Sequence, residues 1–260
     1  MSTNKPKVSI ISLTCCEGCQ VAIFDLGEKL LELLKHIDLV DMPLIEDLSE
    51  PDHFDIVFIE GAVVSDDDET RLKKARLKSD VLVALGTCAC LGGIAEIKNY
   101  QDKEKVLRYV YKNIEGIRNA NVKSLKEIVK VDYQIPGCPI NSQEFLKIAT
   151  DLVFGKQPKI PQRTVCYECQ LKGNECLLQK GLPCLGPIML AGCGAPCPTS
   201  KYPCDGCRGP KPNLSKSAID NLKKILLSQK MTIQEIDSIF ERFGIKNELS
   251  QLQKYFLPSP

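Results

Sequence analysis

The chain has 260 residues, 43% of them apolar, which is enough for one good-sized domain and a smaller module. A formal net charge of +1 gives no electrostatic case for nucleic acid or an anionic membrane, and no apolar run reaches the roughly 18 residues of a membrane span. Trp is absent and there are two His against 14 Cys, so a His-rich metal site is excluded and metal binding falls to thiolates.

In chain order, Val8 to Leu13 is a short β-rich run that ends in Thr14-Cys-Cys-Glu-Gly-Cys19. No cleavable apolar leader precedes it, which predicts a cytoplasmic protein with reduced thiols, so that a Cys framework means metal rather than disulfides. An amphipathic helix is predicted from Gln20 to Lys35, and a short strand at Asp38 to Val40. Asp55 to Glu60 is continuous and β-branched, as a strand buried on both faces must be. A charged helix follows from Ser65 to Lys78, whose acidic opening, Asp66 to Glu69, complements the helix N-terminus. Val81 to Leu85 is a strand that runs into Gly86-Thr-Cys-Ala-Cys90, and Val131 to Ile135 is one that runs into Pro136-Gly-Cys-Pro139. Strands alternating with helices predict an α/β fold with a doubly wound parallel sheet. Ligands of such sheets bind at the carboxyl edge, so Cys16, Cys19, Cys88 and Cys138 are expected to meet there. Four thiolates around one point suit a [4Fe-4S] cluster. A two-residue spacer lets Cys16 and Cys19 grip one cluster, and Cys15 remains over. Cys90 is read as a packed thiol.

Pro158 and Pro161 mark a linker, after which periodicity gives way to a Cys-, Pro- and Gly-rich stretch ending near Pro212. Eight cysteines lie between Cys166 and Cys207, in two quartets: Cys166, Cys169, Cys176, Cys184 and Cys193, Cys197, Cys204, Cys207. With so little apolar surface in sequence, metal is the expected core of this module. A zinc ribbon would set two CxxC pairs about 15–20 residues apart. Here 34 residues separate them and hold four more cysteines, which favours iron–sulfur. Two helices should follow, Ser215 to Gln229 and one from the capping box Thr232/Glu235 to Phe243. Glu60 is read as a solvated strand end, Arg208 as a solvated cation, and His36 and His53 as surface residues.

Taken together, Leu13-Thr-Cys-Cys-Glu-Gly-Cys-Gln20, Ile59-Glu-Gly-Ala-Val63, Gly86-Thr-Cys-Ala-Cys90, Pro136-Gly-Cys-Pro139 and the run from Cys166-Tyr-Glu-Cys169 to Cys204-Asp-Gly-Cys-Arg-Gly209 carry a resemblance. The chain resembles the small subunits of [NiFe] hydrogenases, above all those of multisubunit NAD(P)-linked and sulfhydrogenase-type enzymes. The resemblance spans about residues 7 to 210. It implies a flavodoxin-like domain over 1–154 that holds a proximal cluster, a two-cluster iron–sulfur module over 155–212 and a helical tail over 213–260. By the same resemblance, Cys16, Cys19, Cys88 and Cys138 would be proximal ligands. Cys193, Cys197, Cys204 and Cys207 would be medial, and Cys166, Cys169, Cys176 and Cys184 distal.

Two departures from many periplasmic relatives stand out. Cys166 replaces a His in the distal set, and Cys197 stands where Pro would give a [3Fe-4S] medial cluster. Three [4Fe-4S] clusters are therefore implied. The implied role is electron transfer, with no catalytic residue on this chain. The implied partners are a large subunit carrying the nickel–iron site and a downstream flavin or iron–sulfur carrier subunit, NAD(P)- or ferredoxin-linked. The alternatives are a polyferredoxin-type carrier for another redox partner and a zinc-stabilised interaction module.

Overall fold

A computed structural model describes residues 5–44, 52–118 and 120–254. Five strands, β1 (Lys7–Ser12), β2 (Asp38–Asp41), β3 (Phe54–Glu60), β4 (Ser79–Leu85) and β5 (Tyr133–Ile135), form one sheet in the order β2-β1-β3-β4-β5. Every pairing is parallel, as the continuous apolar runs predicted. Alternate residues serve opposite faces. Ile56, Phe58, Val83 and Leu85 pack with Ile23, Leu33, Phe145 and Ile148, while Val57, Ile59, Leu82 and Ala84 pack with Leu72, Ala75, Ala89 and Leu125. Both faces are thus covered, and a one-residue slip of β3 or β4 would exchange two complete cores.

The helices of the first face are α1 (Gly18–Phe24), α2 (Glu28–Leu34) and, much later, α6 (Ser142–Val153). The single helix expected over Gln20 to Lys35 is two, because Gly27 takes φ 54°, outside helical space, and breaks the chain between α1 and α2. On the second face α3 (Asp66–Leu77) starts from Ser65, whose side chain accepts the Asp68 N–H. The Asp68 carboxylate returns to Ser65 and also accepts from Thr14 Oγ1 at 2.9 Å. The helix start is thereby tied to the first Cys loop. These hydrogen bonds overcome burial and hold the Asp68 carboxyl below its usual range. Next come α4 (Gly86–Leu91) and, on the surface, the short α5 (Lys103–Val110).

Beyond residue 160 regular structure is sparse: α7 (Val165–Leu171) and α8 (Pro196–Thr199), joined by irregular loops. This module has an apolar core as well as cysteines. Val165, Leu177, Leu185, Ile188 and Met189 are buried against Ile219 and Leu222 of α9 (Lys216–Ser228), Ile236 and Phe240 of α10 (Ile233–Glu241), and Ile245 and Leu249 of α11 (Ile245–Lys254). The helices after Pro212 supply the apolar surface that the Cys-rich stretch lacks. The Thr232/Glu235 capping box is present at the start of α10.

Candidate metal centres

Because all five strands run the same way, the loops after β1, β3, β4 and β5 leave one edge of the sheet together. They are laced by hydrogen bonds: Leu13 N–H to Glu60 O at 2.8 Å, Ala62 N–H to Thr14 O at 3.0 Å, and Thr87 N–H to Gly137 O at 2.9 Å. The thiols of the three strand-end motifs meet here. Burial, then the nearby Cys138, Cys16, Glu60 and Cys15, pushes the Cys88 thiol up to about 12. Burial and Glu60 push Cys19 well above the ordinary thiol range, and Cys88 is among its neighbours. Cys138 is raised by burial first, with Cys16 and Glu60 beside it. Cys16, Cys19, Cys88 and Cys138 are therefore together, as the strand-end argument expects. Cys15 lies at the same edge, its thiol pushed up to about 11 by burial and bonded to Ser12. Cys90 is apart: it is buried in the second core and its Sγ donates to Ala84 O at 3.5 Å.

Gly86 opens α4 between β4 and Cys88 with φ 83°. A Cβ at this position would collide with Cys19 Sγ, so only glycine lets the first two motifs approach.

Glu60 was missed by sequence reasoning. It is 2% exposed rather than solvated. Its carboxylate accepts the N–H groups of Cys19 at 3.1 Å and Gln20 at 3.3 Å, at the N-terminal turn of α1. An acidic residue closing an otherwise apolar, buried strand end was the available signal, since such a charge needs built-in donors.

The other eight cysteines form two further groups. Burial, with Cys184, Cys169 and Cys176 around it, pushes the Cys166 thiol up to about 12. Gly186 lies against this group; a Cβ there would sit 3.3 Å from Cys166 Sγ and 3.5 Å from Cys184 Sγ. Cys193, Cys197, Cys204 and Cys207 line a cavity of about 360 Å³, together with Cys138 and Pro139 of the β5 loop. Burial pushes Cys207 up to about 11, partly offset by a hydrogen bond from the Cys138 backbone. The quartets are linked in series. Cys138 meets Cys207 in this way, and the Cys204 N–H donates to Cys184 Sγ at 3.2 Å. Thr87 Oγ1 also donates to Cys207 O and accepts the Gly137 N–H.

Arg208 is the second departure from the sequence reading. It is 3% exposed. Nε donates to Leu190 O and Ala191 O, and Nη1 donates to Pro136 O at 2.6 Å. Its fork clasps Glu144 of α6 at 2.6 and 2.8 Å. This residue, next to Cys207, fastens the module to the loop that carries Cys138. His36 and His53 are partly exposed, as expected, and each lies near a carboxylate, Glu32 and Asp80 respectively.

Residues 16–152 match the family described as "NADH ubiquinone oxidoreductase, 20 Kd subunit". Over 241 residues the chain is 36% identical to a subunit of the vhu F420-non-reducing hydrogenase of Methanocaldococcus jannaschii, covering 80% of this chain and 83% of that one. It is 34% identical to sulfhydrogenase 2 subunit delta of Pyrococcus furiosus, covering 85% of this chain and 93% of the relative. Among solved structures, an NAD+-reducing [NiFe]-hydrogenase aligns with a TM-score of 0.54 and 30% identity, over 60% of this chain and 96% of that one. The chain belongs to the hydrogenase small-subunit family. A small subunit of this kind is the electron-transfer part of an oxidoreductase complex, and the 14 cysteines of this chain suit an iron–sulfur subunit. The family match at residues 16–152 covers β2 to β5 and the loops that carry Cys16, Cys19, Cys88 and Cys138; β1 and the two later quartets lie outside it. Among the described residues no helix is long and apolar enough to cross a membrane.

Proposed function

We propose that this chain relays electrons through three [4Fe-4S] clusters in a cytoplasmic [NiFe] hydrogenase, between the nickel–iron site of a large subunit and a downstream carrier subunit. The observation that carries this reading is the gathering of twelve cysteines, scattered over residues 16 to 207, into three four-thiol groups linked end to end. Cys16, Cys19, Cys88 and Cys138 would hold the proximal cluster, Cys193, Cys197, Cys204 and Cys207 the medial, and Cys166, Cys169, Cys176 and Cys184 the distal. When bound, the clusters supply one-electron steps at low potential, suited to a nicotinamide- or ferredoxin-linked carrier. Relatives named as sulfhydrogenase and NAD-reducing hydrogenase subunits support this choice of carrier class.

The protein's own work is placement. Burial first, then neighbouring charges, keeps Cys19, Cys88, Cys166 and Cys204 protonated on their own, so binding of a cationic cluster would have to displace their protons to solvent. Backbone N–H groups, such as Cys204 toward Cys184, aim at ligand sulfurs and set potentials. Arg208 and Thr87 fix the medial group against the proximal one. Zinc is disfavoured by the spacing of the thiols. A structural zinc site closes its four sulfurs on one ion at about 2.3 Å, whereas among the described residues no cysteine group has its sulfurs all within 4.8 Å of one another.

The test is metal and acid-labile sulfide on anaerobically purified protein with whatever accompanies it. About twelve iron and twelve sulfide per chain, with nickel in a larger partner, is the expected result. Iron near four, or zinc in its place, refutes the three-cluster reading. Full iron with no nickel in any partner leaves the wire and removes the hydrogenase, as a polyferredoxin-type carrier would.

A further inference from the structure

Glu168 stands between Cys166 and Cys169 on α7, yet its carboxylate serves the other quartet. Oε1 accepts the Gly192 N–H at 2.9 Å and Oε2 accepts the Gly194 N–H at 2.9 Å. Oε2 also lies 3.9 Å from Cys193 Sγ. The two amides flank Cys193, so one side chain grips the loop on both sides of a thiol from the second group. Other bonds close this seam. Val165 N–H donates to Met189 O and Ala191 N–H to Arg163 O, both at 2.9 Å, and Asn174 Nδ2 donates to Thr199 Oγ1 at 3.1 Å. All of those are neutral.

Two cations are also close to Cys193. Arg208 is one, but its fork is matched by Glu144. Lys172 is the other: it lies near Gly194, where a Cβ would come within 3.7 Å of Nζ, but it is exposed and screened by solvent. Glu168 is thus the negative charge nearest Cys193 without a buried counter-ion. Adding an electron beside such a charge is disfavoured, so the charge lowers the potential of any cluster held there.

We propose that Glu168 is a positioning residue for the medial cluster, holding Cys193 through its two flanking amides and lowering that cluster's reduction potential with its charge. This rests on the ligand assignment proposed above. It makes one four-residue segment, Cys166 to Cys169, contribute two distal ligands and the electrostatic setting of the medial centre. A change in the distal motif would then alter both ends of the last electron step.

The experiment uses the assembled complex, purified anaerobically as wild type, E168Q and E168D. It measures iron per chain and an EPR-monitored redox titration of each cluster. Gln keeps the size and one acceptor but removes the charge; Asp keeps the charge. The expected result is full iron in E168Q with the medial midpoint raised by at least a tenfold change in the reduction equilibrium, about 59 mV for one electron. The proximal midpoint stays in place, and E168D moves the medial one by much less. Loss of about four iron from E168Q but not from E168D also supports the proposal. Full iron in E168Q with an unmoved medial midpoint overturns it, as does an equal effect of E168D and E168Q on midpoint or iron content. Wild type with iron near four would instead break the three-cluster reading, before either variant is compared.

Discussion

Replacing Arg208 by Met leaves the Glu144 carboxylate, whose side chain is 10% exposed, without its cation. It also strips a donor from Pro136 O, Leu190 O and Ala191 O. Breaking a buried ion pair from one side costs about 3–5 kcal/mol, because the remaining charge stays out of water. For a chain of this size that corresponds to a melting temperature lower by on the order of 10 °C. The double variant R208M/E144M removes both charges and is expected to recover most of the loss, since apolar replacement of a whole pair is often neutral. The sign with pH follows from Glu144. Burial already raises its pKa despite Arg208, and losing Arg208 raises it further. A carboxyl raised in the folded state gives its stability fully below the unfolded value of 4.5 and loses it as pH rises. The R208M penalty should therefore be small near pH 4.5 and grow toward neutrality. The assay is anaerobic thermal unfolding of the complex, followed by circular dichroism and visible iron–sulfur absorbance, at acid and neutral pH. A loss under about 1 kcal/mol, or a double variant no better than R208M, would refute the claim that this pair joins the module to the sheet.

Two more predictions concern separate parts of the chain. In G86A the new methyl meets Cys19 Sγ at a backbone φ of 83°, so about four iron per chain should be lost while the other two clusters persist, as counted by iron analysis and EPR. Retention of all iron in G86A would mean that the β4 loop does not shape the proximal site. Ile219 of α9 is fully buried among module residues, so I219A should cost about 2–5 kcal/mol and lower the temperature at which the two module clusters bleach. If bleaching is unaffected while α9 melts early, the tail does not support the module.

Much of this protein can be read before folding is considered. Strands β3 and β4 announce themselves because both faces of a parallel sheet are buried, which demands unbroken apolar runs such as Ile56 to Ile59; β1 and β5, interrupted by Ser9 and Gln134, are marked instead, as β4 is, by the Cys motif that follows. A cysteine shortly after three of them points to one edge, since parallel strands all end on the same side. The division of the last eight cysteines into two groups also follows from spacing. Other features depend on atoms distant in sequence. The break at Gly27 is a backbone choice among conformations that a helical pattern permits equally. Glu60, Arg208 and the half-buried Glu168 look like surface charges in isolation, because the donors and acceptors that hold them come from residues 17 to 72 positions away. The helices after Pro212 show their amphipathic pattern in sequence, but only packing reveals that their apolar face is the missing core of the Cys-rich module. Local patterns record which residues must leave water and which can hold metal; which charge meets which partner is decided only when distant segments are brought into contact.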